Sequence, residues 1–131
     1  MGVDPSRIRD VPLFADLSGE ERSAVATKLN ERDAHEGQRL STEGGAGYFF
    51  FVIESGTATV SHGDAVVATL GPGDFFGEAA ILETTRRTAT VTAATDMVLL
   101  EMFGADLAVL NAELPTVHAA IEAAMAQRLP G

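Results

Sequence analysis

The chain predicts a closed antiparallel β-sandwich or jelly roll, mainly β, with helices before and after it. Three observations carry that expectation. Between about residues 30 and 103 the sequence breaks into short segments separated by glycine, serine, aspartate and proline turn chemistry. Ahead of them, Ser18-Gly19-Glu20-Glu21 has the form of a capping box that opens a helix. Behind them, apolar residues recur at helical spacing towards the end of the chain.

Taken in order, residues 1–29 form a helical lead-in. Ile8, Val11, Leu13, Phe14 and Leu17 are apolar, and Pro12 within the run prevents one uninterrupted helix. A short helical piece and a turn are expected, with Phe14 and Leu17 docked on the body. A helix then runs from the Ser18 N-cap to about Leu29, burying Val25, Ala26 and Leu29. Strands are expected at Tyr48 to Ile53, Thr57 to Ser61, Ala65 to Leu70, Thr88 to Ala93 and Met97 to Met102. His62-Gly63-Asp64 should close a hairpin, with glycine supplying the positive φ of a tight turn. Residues 104–131 return to helix. Gly104 to Leu110 is short; a longer helix from Glu113 or Pro115 to Leu129 carries Val117, Ile121, Ala124 and Met125 as an apolar stripe. That stripe packs on the sandwich or meets a partner.

At 131 residues this is one domain's worth of chain, and 46% hydrophobic content suits a packed globule. Cysteine is absent, which removes disulfides, thiol nucleophiles and thiolate metal sites. Nine basic against nineteen acidic residues leave a net charge of −10. Such a surface repels nucleic acid and anionic membranes, so neither is an expected partner. Neither a membrane-length apolar run nor a cleavable leader stands out, and a cytoplasmic location is the expectation. The start Met1-Gly2-Val3-Asp4-Pro5-Ser6 fits the bare myristoylation pattern, but no polybasic segment follows it.

Chemistry concentrates between Gly73 and Val91. Gly73-Asp74-Phe75-Phe76-Gly77 is a glycine-broken turn, and Glu78-Ala79-Ala80-Ile81-Leu82 after it reads as a short helix start. Unpaired amides at such a start offer donors to an anion. Arg86-Arg87 then precedes an alternating strand, Thr88-Ala89-Thr90-Val91. Arg87 can present a planar fork of donors to the same anion. Read plainly, the arginines are a solvated pair and Glu78 is an acid favoured by the helix dipole. The glycine turn, helix start and arginine together favour an anion cradle.

This segment resembles the phosphate-binding cassette of the cyclic nucleotide-binding domain family. Gly-Glu-x-Ala is followed by Arg-Thr-Ala-Thr-Val, with Arg87 nine positions after Glu78. The resemblance implies a β-roll with a short phosphate-binding helix, a helical lead-in and a C-terminal helix closing over the base. Pro12-Leu13-Phe14 with Leu17-Ser18 is similar to the family's lead-in. By position, Glu78 would hold the ribose hydroxyl, and the amides of Gly77, Ala79 and Ala80 the cyclic phosphate. Arg87 with Thr88 would pair with that phosphate, and Phe76 and Ala89 would complete the walls. Ala79 replaces a large aliphatic residue, leaving its amide unaffected, and Arg86 stands where a proline is usual. Thr88 is compatible with either base; cAMP is favoured over cGMP. Val60 and Val67 lie on the hairpin that would face the base, although core packing explains them as well.

His35, His62 and His118 share no metal-ligand spacing, and neither a nucleophile elbow nor a complete phosphate loop is present. A regulatory sensor, not an enzyme, is therefore expected, with no metal and no cofactor beyond its cyclic nucleotide. Its partner would be an effector protein or a second copy reached through the C-terminal helix. The competing expectation is a degenerate pocket on a scaffold that dimerises through Val117, Ile121 and Met125.

Overall fold

The computed structural model describes residues 2–41, 49–77 and 89–127, the last four by backbone alone. Among the described residues, eight strands form two antiparallel sheets. They are β1 (Asn30–Ala34), β2 (Arg39–Ser41), β3 (Phe49–Ser55), β4 (Ala58–His62), β5 (Ala65–Leu70), β6 (Phe75–Phe76), β7 (Thr90–Ala93) and β8 (Met97–Phe103). One sheet runs β1-β8-β3-β6 and the other β2-β7-β4-β5. Helices stand on both sides of this run in the chain: α1 (Gly19–Thr27) before it, then α2 (Gly104–Glu113) and α3 (Pro115–Gln127) after it. This is the expected β-roll with its flanking helices.

The lead-in is two 3-10 turns, Pro5–Ile8 and Pro12–Phe14, each opened by a proline whose fixed φ suits a first helical position. Phe14 and Leu17 are buried, as expected. Ser18 caps α1 in a complete capping box: its hydroxyl accepts from Glu21 N at 3.1 Å, and the Glu21 carboxylate accepts from Ser18 N at 2.9 Å. The helix ends at Thr27, two residues short of expectation, yet Leu29 remains fully buried.

Five strands lie close to their expected bounds, with the expected starts at Tyr48 and Thr88 outside the described residues, while β1, β2 and β6 have no counterpart in the sequence reading. β1 reads Asn-Glu-Arg-Asp-Ala, and its charges belong to a sheet edge where they deter pairing with another chain. β2 and β6 are too short to show a period. The hairpin at Gly63-Asp64 forms as read, with His62 opposite Ala65 and Gly63 at φ +56°.

Two buried clusters lie on opposite faces of the first sheet. Alternation along β3 sends Phe50 and Val52 towards the helices and Phe51 and Ile53 into the roll; β8 likewise divides Leu100 and Met102 from Leu99. A sheet buried on both faces needs a nearly continuous apolar strand, which is why Phe49-Phe50-Phe51-Val52-Ile53 shows no polar alternation. Val117 and Ile121 of α3 join Leu13 and Phe14 in the helical cluster. Each such burial stabilises by about 1.5–3 kcal/mol. Ala124 and Met125 have side chains outside the described set, and Leu129 lies wholly outside it.

Candidate functional site

The approach to the predicted cassette is fixed by backbone hydrogen bonds. Gly73 N donates to the Ile53 carbonyl at 2.8 Å, and Ile53 N donates to the Asp74 carbonyl at 2.9 Å. The Asp74 carboxylate accepts from Gly71 N at 2.8 Å, closing the Gly71–Asp74 turn. Gly73 sits at φ +90°, with Pro12 Cδ 3.4 Å from where a side chain would begin. The lead-in therefore rests against the turn that feeds the site.

Past this turn, Phe75 and Phe76 pair with Val52 and Phe51. Their side chains separate to the two faces of the sheet, Phe75 to the helical cluster and Phe76 to the roll. The Phe76 ring stacks on Phe51 with centroids 4.9 Å apart, and the Arg32 guanidinium lies 5.7 Å from the Phe51 centroid. Arg32 is held there by Glu101 at 3.1 Å. Gly77 follows at φ +99°, a conformation natural to glycine and strained for other residues.

Glu78, Ala79, Ala80, Arg87 and Thr88, like Arg86, lie outside the described residues. The described part of the predicted site comprises Phe76, Gly77, Ala89, Val60 and Val67. Ala89 is half-buried and enters β7, whose Val91 pairs with Val60. Val60 is half-buried against the roll cluster. Its partner on β5 is Ala68, and the register shifts between Val60 and Ser61. Val67 is 55% exposed. Thus β4 and β7 bring Val60 beside the segment that follows Arg87, while Val67 stands at the surface of the same hairpin.

Contacts between distant parts of the chain were not legible beforehand. Arg7, in the first lead-in turn, donates from Nε to Glu54 at 2.8 Å, from Nη2 to Glu54, and from Nη2 to Glu31 at 2.7 Å. These bonds, Glu54 foremost, raise the Arg7 pKa still further above neutrality. Glu54 adjoins Ile53, so the clasp and the Asp74 turn meet on one end of β3. Among the described residues, no three His, Asp or Glu side chains gather as a metal site. His118 is engaged by Glu122 at 3.2 Å and lies 3.3 Å from Asn111 Oδ1. Among the same residues, no helix is long and apolar enough to cross a membrane.

Comparison with known proteins fits this architecture. A cAMP-dependent protein kinase regulatory subunit of Yarrowia lipolytica is 44% identical over 92 residues, covering 69% of this chain and 24% of its own length. A cyclic nucleotide-gated potassium channel of Rhizobium etli is 33% identical over 121 residues, covering 92% of this chain and 34% of its own. The catabolite activator protein of Thermus thermophilus superposes with a TM-score of 0.80 at 30% identity, over 89% of this chain and 57% of that one. The chain thus spans about a quarter of the first and a third of the second of the two relatives compared by sequence. Residues 31–112, from the first strand through most of α2, match the cyclic nucleotide-binding domain, and the chain belongs to that family.

Proposed function

We propose that this chain is a regulatory module that binds a cyclic nucleotide, cAMP in preference to cGMP, and signals through its C-terminal helix. The carrying observation is the hand-over at Phe76-Gly77. A buried, paired strand end turns through φ +99° directly into Gly-Glu-Ala-Ala, inside the segment that matches the family. Glu78 then accepts from the ribose hydroxyl. The amides of Gly77, Ala79 and Ala80 hold the cyclic phosphate with Arg87 and Thr88. Phe76 and Ala89 form walls, and Val60 and Val67 meet the base. The preference for cAMP rests on likeness to regulatory subunits named for cAMP.

The three parts, 1–29, 30–103 and 104–131, work as one domain of lead-in, roll and output helices. Ligand binding shifts an equilibrium in how α3 packs, because the two states contact the nucleotide differently. The effector is a protein partner in the cytoplasm. The scaffold alternative loses ground, since Val117 and Ile121 are buried in the chain's own core.

Calorimetry with cAMP, cGMP and linear AMP tests the proposal. Tight binding of one cyclic form and weak binding of the linear form is the expected result; no binding of any would overturn it. Arg87→Ala should weaken binding by about 2–5 kcal/mol, some 30-fold or more, by leaving the phosphate without its strongest partner. Arg86→Ala should do much less, and equal losses would mean that the phosphate contact is misassigned.

A further inference from the structure

Away from the cassette, Phe103 and Val109 are large apolar side chains left exposed, at 57% and 50%. Phe103 ends β8 and pairs in register with Phe49, their ring centroids 5.1 Å apart. The two rings, with Gly104, Ala105 and Asp106, line an open hollow of about 520 Å³. Val109 lies one turn beyond Ala105 on the outward face of α2, whose inward Leu107 and Leu110 are buried. The helix therefore presents an apolar strip that runs into an aromatic hollow.

Along α2 itself the charge has one sign. Its charged residues are Asp106 and Glu113, three positions before and four after Val109, while Arg32, near Phe51 on the neighbouring sheet, is paired with Glu101. Asp106 lines the hollow, and Glu113 ends the helix. A second copy would bring the same carboxylates and its own charge of −10 to the contact, so self-association meets like-charge repulsion.

We infer that the outward face of α2 docks an amphipathic helix of a partner protein, with an apolar anchor seated on Phe49 and Phe103 and Lys or Arg at its flanks. The anchor desolvates the exposed Phe103 ring and Val109, and the basic flanks meet Asp106 and Glu113. The opposed charges steer encounter and select against acidic partners. This surface does not depend on the nucleotide assignment.

The test is fluorescence anisotropy of a labelled synthetic Leu/Lys amphipathic helix added to the whole chain at physiological salt. A scrambled peptide of the same composition and a Leu/Glu version serve as comparators. Saturable binding of the Leu/Lys helix is expected, weakened about tenfold or more by scrambling, by exchange of Lys for Glu, by Val109→Lys and by Phe103→Ser. Should Phe103→Ser alter the melting curve, Val109→Lys at its exposed helical position keeps the comparison valid. Equal binding of the scrambled peptide would reduce the effect to general attraction by an acidic surface and overturn the proposal. So would binding unchanged by Val109→Lys, or a concentration-dependent dimer that this substitution abolishes.

Discussion

Gly56 turns the chain between β3 and β4 at φ +88°, where an added Cβ would lie 2.4 Å from the Asp96 carbonyl oxygen. Backbone strain and collision act together, so Gly56→Ala should destabilise by about 2 kcal/mol or more, read as a lower midpoint in urea. At the opposite extreme, Glu21 is a half-buried residue whose contribution depends on pH. Its carboxyl is held below the ordinary value of 4.5 chiefly by the bond from Ser18 N, with Thr116 and the Ser18 hydroxyl contributing. A depressed carboxylate adds stability at pH above its unfolded value, and that stability fades as pH falls through the lower folded value. Glu21→Gln should therefore flatten the acid side of the stability profile below about pH 4.5, measured by thermal melts across pH. This capping box was legible because its members are three residues apart. The Arg7 clasp was not, because Glu54 lies 47 positions away and neither residue carries a local signature.

The terminal helix α3 offers the sharpest element-scale test. Ile121 is 1% exposed, and Ile121→Ala should cost about 2–5 kcal/mol by removing buried methyl groups and leaving a cavity. Saturating cyclic nucleotide should also change amide exchange along Pro115–Gln127; protection that stays constant there would sever α3 from the signal. Sequence periodicity located this helix, and Val117 and Ile121, four apart, are buried as read. It did less well for strands whose identity comes from their neighbours. β5 was found to the residue from Ala-Val-Val-Ala-Thr-Leu, whereas β1 became a strand only by pairing with β8. The cassette was legible as a spacing of Gly77, Glu78 and Arg87. The arrangement that delivers it, β6 on β3 with Pro12 against Gly73, depends on segments far apart in the chain.

Over the whole molecule, charge and packing set different kinds of response. A net charge of −10 opposes compactness through self-repulsion, so added salt should raise the melting temperature as screening shortens the reach of that field. The lead-in is tied across the body by Arg7, whose side chain is 30% exposed. After discounting for solvent screening, Arg7→Ala should cost on the order of 1 kcal/mol in a denaturant titration. The two buried clusters share no residue, and the sheet of β1, β8, β3 and β6 is the wall between them. Such a wall can serve as a bearing: the helices can slide over one face while the roll on the other keeps its form. At one edge of that sheet stands β6, with Phe75 on one side and Phe76 on the other. A pull on that two-residue rivet would be felt in both compartments at once.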